Sequence, residues 1–441
     1  MSLLALAADP SDPATIQAAS GWPELKTMKT EFRFPGKDAE ILKQLAGKVA
    51  EIAARPEMER KKKLWTLHND LKTTEPLVFI DPENGWNEII DAASLATREP
   101  LARVWEMWLR KLIYWADVLK DDRVIEPYFD VPYSYSDTGW GLELGKHGGE
   151  NGGAYIIDQA LKDYDTDFEK LHYPEITIDW EQSGKVLDLA HETFDGILKV
   201  RRKHTWWWSL GMCIDFVSIR GLEDFMCDMA AEPENFHRLM NLICEGKLRM
   251  LDFLERNELL SLNTGGTYVG SGGFGFTGQL PRPGFDGYVT TKDMWGFVES
   301  QETVSIGPEQ YGEFVFPYLK KIAERFGLNC YGCCEPYDTR WSYVKDLPRL
   351  RRVSVSAWAD WRTVPEFLGN KYIASIKPSP TPLAMPHMNE DVVREDCRRA
   401  VTQTSGGICE FIMKDNHTLS KNPQHASRWV QIMREEIDKV Y

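Results

Sequence analysis

The chain has 441 residues, 43% of them hydrophobic and 27% charged, which is ample apolar material for a sizeable core. Setting 67 acidic against 52 basic side chains leaves a net charge of −15, so nucleic-acid backbones and anionic membrane surfaces are poor partners. No apolar run approaches the ~18 residues needed to span a bilayer, the opening Met-Ser-Leu-Leu-Ala-Leu-Ala-Ala lacks the basic residues of a secretion signal, and eight cysteines are too sparse for a disulfide scaffold. The expectation is a soluble, reduced, cytoplasmic protein.

In chain order, residues 1–70 are polar and helix-prone and read as an N-terminal helical extension. From 71 onward, short apolar runs alternate with longer helical stretches. The runs are Leu77–Ile80, His204–Cys213, Leu259–Leu262, Met294–Val298, Leu328–Cys333, Arg352–Ser356, Tyr372–Ile376 and Ile408–Met413, which makes eight candidate strands. After Gly307-Pro308 the apolar residues Tyr311, Phe314, Val315, Leu319, Ile322 and Phe326 recur every three or four positions, one face of a helix. Similar stripes run through Phe236 to Leu254 and Pro423 to Ile437. Such alternation predicts an α/β fold with a parallel sheet and helices outside. Eight units predict a closed (β/α)8 TIM barrel over 71–441, with an insertion at about 83–203 after the first strand.

In that architecture chemistry sits where the strands end. The strand-end segments here include Asp81-Pro82, Glu299-Ser300, Cys333-Cys334-Glu335, Ala357-Trp-Ala-Asp360, Lys377-Pro378 and Lys414-Asp-Asn-His417. Cys330-Tyr-Gly-Cys-Cys-Glu335 is the sharpest local signal. Strand alternation would point Tyr331, Cys333 and Glu335 one way and Cys330 and Cys334 the other. A thiolate at a strand end suits zinc, with imidazole and carboxylate as companions, and His417 is the natural imidazole partner. The bland alternative is that these cysteines are small buried hydrophobes.

Thr264 to Tyr288 holds nine glycines in 25 residues. Its match to a dinucleotide fingerprint is poor, since no helical pattern follows promptly. It reads either as a mobile surface loop or as a lid over the barrel mouth, with Phe274 and Phe276 closing on an apolar substrate. Lys146 to Gly153, with His147 and Glu150, reads as a solvated glycine-rich turn. Trp206, Trp207 and Trp208 read as packing residues or as an aromatic wall for a planar ligand.

Several segments together resemble the uroporphyrinogen decarboxylase superfamily, in its corrinoid-dependent methyltransferase branch. Ile219-Arg-Gly-Leu-Glu-Asp-Phe-Met-Cys-Asp-Met-Ala-Ala-Glu-Pro-Glu-Asn-Phe-His-Arg-Leu239 is similar to a helix pair of that family. Ser305-Ile-Gly-Pro-Glu-Gln-Tyr-Gly-Glu-Phe-Val-Phe-Pro-Tyr-Leu-Lys-Lys-Ile322 resembles the helix before its metal-binding strand. The resemblance implies a (β/α)8 barrel that moves a methyl group from a small donor, such as a methoxylated aromatic, to the cobalt of a separate corrinoid protein. It also implies a zinc site of His-x-Cys at one strand end with a later Cys after the last strand, in a family for which a homodimer would be ordinary. Tyr331-Gly-Cys333 falls over His-x-Cys, and Asn416 or His417 falls near the later Cys. The expected zinc ligands are therefore Cys333 and His417, with Glu335 or Glu299 completing the set; the alternative to a metal Lewis acid is Tyr331, Glu299 or Asp360 acting instead as general acid. The decarboxylase itself fits less well, since its arginine-rich substrate motif has no counterpart around Leu77 to Pro82. A metal-independent decarboxylase or lyase is the alternative enzyme, and a non-catalytic small-molecule-binding barrel the alternative outside catalysis.

Overall fold

The computed structural model describes residues 33–72, 75–142, 145–148 and 155–441. An α/β fold is built on a six-stranded parallel sheet: β1 (Leu77–Ile80), β2 (Trp295–Val298), β3 (Leu328–Tyr331), β4 (Leu350–Val355), β5 (Ile373–Ile376) and β6 (Ile408–Met413). Their order in space is β1-β6-β5-β4-β3-β2. The strands are buried almost throughout, which is why they read as unbroken apolar runs rather than alternating ones. Helices such as Glu390–Thr404 and Gln424–Ile437 pack outside. The stripe from Tyr311 to Phe326 folds as two helices, Pro308–Phe314 and Phe316–Ala323, because Pro317 lacks the amide that a continuous helix would need.

This order is compatible with a barrel-like fold, but among the described residues the expected eight-stranded closure is corrected to six strands with β1 and β2 at the edges. The two remaining candidate strands, His204–Cys213 and Leu259–Leu262, form no ladder among the described residues. Side chains and one backbone contact have taken their place. Asn263 satisfies both backbone groups of Trp295, donating to its carbonyl and accepting from its N–H at 2.9 Å each. Trp206 Nε1 donates to the Leu259 carbonyl at 2.9 Å, and the Leu210 N–H donates to the Phe297 carbonyl at 2.9 Å. The β1 edge is closed the same way. Asp122 Oδ2 accepts from the Val78 N–H at 2.8 Å and Asp121 Oδ2 from the Ile80 N–H at 3.0 Å. Unpaired edge groups would otherwise be buried without partners.

The polypeptide between β1 and β2 carries the helices Pro100–Tyr114, Trp180–Phe194 and Pro233–Arg256 and a parallel strand pair, Tyr128–Val131 with Lys199–Arg202. The helix Gly36–Ala53 buries Leu42, Ala46, Val49 and Ile52 along one face, and Phe34 meets Trp105 edge-on. The following helix, Pro56–Asn69, brings Trp65, His68 and Asn69 fully into the interior of the sheet. Among the described residues no helix is long and apolar enough to cross a membrane.

The glycine-rich segment corrects the expectation of a lid. Residues 269–276 are buried, and Phe274 packs on Phe79 and Trp65 with ring centroids 4.9 and 5.3 Å away. The Phe274 and Phe276 carbonyls both accept from Asn69 Nδ2 at 2.7 Å. The segment is an interior plug occupying the space that a closed barrel would fill with strand side chains. Its composition follows from that position. Gly272 sits at φ +146°, and a Cβ there would lie 2.8 Å from Ile412 Cγ2.

Candidate active site

The site is set by a break in strand parity. Within β3, Asn329 points into the helix layer, donating to the Ala323 and Pro348 carbonyls. Cys330 faces the interior beside Trp295 and Phe297. Tyr331 then points outward, its hydroxyl 3.1 Å from that of Tyr311 and 3.2 Å from Ser300 Oγ. Gly332 follows at φ +87°, a conformation that side-chain-bearing residues avoid, and ends the simple alternation. Tyr331 and Cys333 therefore have different surroundings, where an uninterrupted strand would have placed them together.

Cys333 Sγ accepts from Ser271 Oγ of the plug at 3.4 Å, lies 3.6 Å from Cys334 Sγ and is 3.8 Å from Lys414 Nζ. Lys414, just past β6, is also 3.6 Å from Asp415 Oδ1 and 4.0 Å from Glu83 Oε1. Its ammonium lies 5.6 Å from the centre of the Trp208 ring. Asp81 and Lys377 are also buried at the strand ends.

Electrostatics tunes these groups toward neutrality. The Cys334 thiol donating to it, together with Lys414, brings the Cys333 thiol down to about 7 against the cost of burial. Its neighbouring thiolate and burial push Cys334 far up. Burial lifts Glu83 to about 8, with Lys414 opposing. Desolvation lowers Lys377 to about 7 and Lys111 to about 8. Burial also works against the charge of Lys414, but Cys333, Tyr268, Asp415 and Glu83 outweigh it and hold the ammonium charged. The cluster thus contains a thiol that ionises near pH 7, a fixed cation and a carboxyl whose proton is held to about pH 8, an unusual density of groups able to exchange protons near pH 7.

The sequence-predicted residues separate. Cys333 sits in the cluster. Glu335 is buried, and its carboxylate accepts from the Ser300 and Cys333 N–H groups at 2.9 Å each, tying two strand ends together. His417 is exposed, with Nδ1 3.5 Å from Asn84 Nδ2. Asp360 pairs with Arg362 at 2.8 Å and caps the short helix Trp361–Thr363. Glu299 is fully buried and held strongly protonated by desolvation, Glu302 and Glu335, with Ser209 Oγ and the Gln301 N–H as partners. His147 pairs with Asp158 at 2.9 Å on the surface, and Glu150 lies outside the described residues.

These placements do not fit the expected zinc centre. Among the described residues no three His, Cys, Asp or Glu side chains are grouped to hold a metal ion. Both oxygens of Glu335 are committed to backbone amides, and the cation beside the Cys333 sulfur is Lys414. Reading the sequence alone missed Lys414, Glu83 and Lys377 as participants, although Lys414 and Lys377 lie in segments it marked as strand ends. A cleft lined by Lys203, His204, Trp206, Trp207, Trp208, Tyr268 and Trp295 opens along the gap in the sheet. Trp208 joins that cleft to Lys414, which gives the tryptophan run a position at the site.

No protein-family model matches the chain, and no curated protein matches it in sequence. Among solved structures it is similar to a methyltransferase from Methanosarcina mazei, with a TM-score of 0.49 and 10% identity, over 86% of this chain and 98% of that one.

Proposed function

We propose that this chain is a methyltransferase that moves a methyl group from a small methoxylated donor to the cobalt of a corrinoid carried by a separate protein, with proton transfer assisting departure of the donor oxygen. The sequence segments similar to the corrinoid-dependent branch support the reaction class. The observation that carries the mechanism is the pairing of protonated Glu83 with Lys414 beside Cys333 at the strand ends.

A methyl ether is inert because an alkoxide or phenoxide leaves badly. Attack on the methyl carbon by Co(I) of the acceptor breaks the C–O bond and leaves its electron pair on oxygen. Glu83 supplies the proton that makes that oxygen a neutral hydroxyl, and the carboxylate left behind faces the Lys414 ammonium. Cys333 as thiolate keeps Lys414 charged and in place. Trp208, which lines the tryptophan-rich cleft, lies 5.6 Å from the Lys414 ammonium and offers an aromatic donor a surface on that side of the cluster.

The test is anaerobic incubation of the full chain with Co(I) cobalamin and a panel of methoxylated aromatics, following methylcobalamin by its spectrum. Methyl transfer to cobalt supports the reading. Its absence across the panel, with carbon dioxide released from an acidic substrate without corrinoid, supports the lyase instead. That second reading draws on the buried cations Lys111, Arg123, Lys377 and Lys414, which could hold a carboxylate.

A further inference from the structure

The site contains a second thiol, Cys334, that the proposed methyl transfer does not use. Cys333 and Cys334 are adjacent in sequence, and their sulfurs are 3.6 Å apart. Neither is in a disulfide. They differ in setting: Cys333 is 3% exposed, whereas Cys334 is half-buried and lies 4.0 Å from Asp415, whose side chain is 42% exposed. Ser271 and Lys414 both face the Cys333 sulfur, and a thiolate is the form that reacts with electrophiles.

We infer that Cys333 and Cys334 form a vicinal dithiol that hydroperoxides convert reversibly to a disulfide. The Cys333 thiolate attacks the outer oxygen of a hydroperoxide, breaking the O–O bond, to give a sulfenic acid and an alkoxide (hydroxide from hydrogen peroxide) that takes a proton from solvent. The Cys334 sulfur then attacks the Cys333 sulfur, and its proton leaves with the displaced hydroxyl as water. In sum, two thiols and one hydroperoxide give one disulfide, one alcohol (or water) and one water: the dithiol loses two electrons and the peroxide gains them. Lys414 faces the sulfur through the first step, and Cys334 is placed to resolve the second before further oxidation.

The product is a strained ring. Consecutive α-carbons stand about 3.8 Å apart, below the ~4.4 Å at which disulfide-bonded pairs usually begin. Strained disulfides have higher potentials and are the labile, regulatory ones. Oxidation would remove the thiolate that faces Lys414, linking peroxide exposure to loss of whatever reaction the cluster performs. In that consequence the inference rests on the proposed site. The chemistry itself does not.

The experiment uses the full chain, purified anaerobically and treated with stoichiometric hydrogen peroxide, then read by thiol count, intact mass and peptide mapping. The expected result is loss of two thiols and two hydrogen masses per chain, a link mapped to Cys333–Cys334, and full reversal by a mild thiol reductant. In Cys334→Ser, a dimedone adduct should form at Cys333 instead. An unchanged thiol count, a link between other cysteines, or direct conversion of Cys333 to the sulfinic acid would overturn the inference. Should Cys334→Ser fail to fold, the wild-type mapping decides alone. Because every readout is a mass or a thiol count, failure of the methyl-transfer reading would leave this result standing.

Discussion

Strands β3 to β6 carry two buried polar clusters, one in the interior of the sheet and one at the strand ends, and they behave in opposite ways. In the interior the charges are matched. Arg352 Nε is 3.0 Å from Glu410 Oε1, His68 Nε2 is 3.1 Å from Glu410 Oε2, Ser375 Oγ donates to Glu410 at 2.5 Å, and Arg352 Nη2 donates to Asn69 at 2.6 Å. Burial alone would raise Glu410, yet Arg352 and His68 hold it at about 2. At the strand ends, where Cys333 and Lys377 are buried and Glu83 is partly exposed, pairing is looser, and the three are drawn to between about 7 and 8. Lys377 stands two residues beyond Ser375, and Lys414 four beyond Glu410. Close ion pairing drives protonation states away from neutrality and fixes structure. Partial pairing brings them to neutrality and leaves protons available.

The sharpest way to break this contrast is at Glu83. Glu83→Gln removes the proton donor while keeping the shape, and the rate of methyl transfer should fall about 10²–10⁴-fold, the usual worth of a general acid. Stability should be unchanged or slightly higher, since the carboxyl is one that burial disfavours. In the wild type, kcat/KM should decline as pH rises through about 8, where the acid loses its proton. A rate that stays level across that range would remove Glu83 from the reaction.

Glu410→Gln should show the reverse pattern. Removing one partner of a buried ion pair leaves Arg352 uncompensated and should cost about 3–5 kcal/mol of stability, seen in urea unfolding at neutral pH. The sign of the pH effect follows from the lowered pKa. An unfolded glutamate titrates near 4.5 and this one at about 2, so its stabilisation is fully present above 4.5 and is lost as pH falls toward 2. The difference corresponds to about 3 kcal/mol. Unfolding curves of wild type and Glu410→Gln should therefore converge in acid, and parallel curves would show that Glu410 is not the group responsible.

A smaller effect tests the plug that separates the two clusters from bulk solvent. Gly272→Ala places a methyl group against Ile412 at a φ that alanine avoids, and should cost about 1–3 kcal/mol. If residues 269–276 were a surface lid, as the glycine content alone suggested, this substitution would leave the urea midpoint where it was.

Six of the eight candidate strands could be read from the sequence because parallel strands buried on both faces announce themselves as short apolar runs. The other two runs are equally apolar, but Asn263 and Trp206 satisfy the backbone groups that a ladder would have used, and no local pattern reveals such a substitution. The site was half legible. Cys333 stood out by composition, whereas Tyr331 was misplaced because alternation was carried through Gly332, whose φ of +87° interrupts it. Lys414 and Glu83 come from opposite ends of the chain and meet because β1 pairs with β6. Sequence spacing does not carry that neighbourhood.

The last expected effect is none at all. The sequence pattern predicts zinc, while the geometry gives each would-be ligand another occupation: amides at Glu335, Asn84 at His417, and Lys414 beside the Cys333 sulfur. A dication at Cys333 would lie against an ammonium that the structure holds charged, and the like charges would repel in a buried setting. Dialysis against a strong chelator should therefore leave activity and the unfolding midpoint unchanged, with bound zinc well below one per chain by elemental analysis. Loss of close to one zinc per chain, together with activity, would require Lys414 to swing away and Glu335 to surrender its amides. In that case the strand-end cluster would be a metal centre, and its contrast with the interior would be one of ligand choice rather than of pairing.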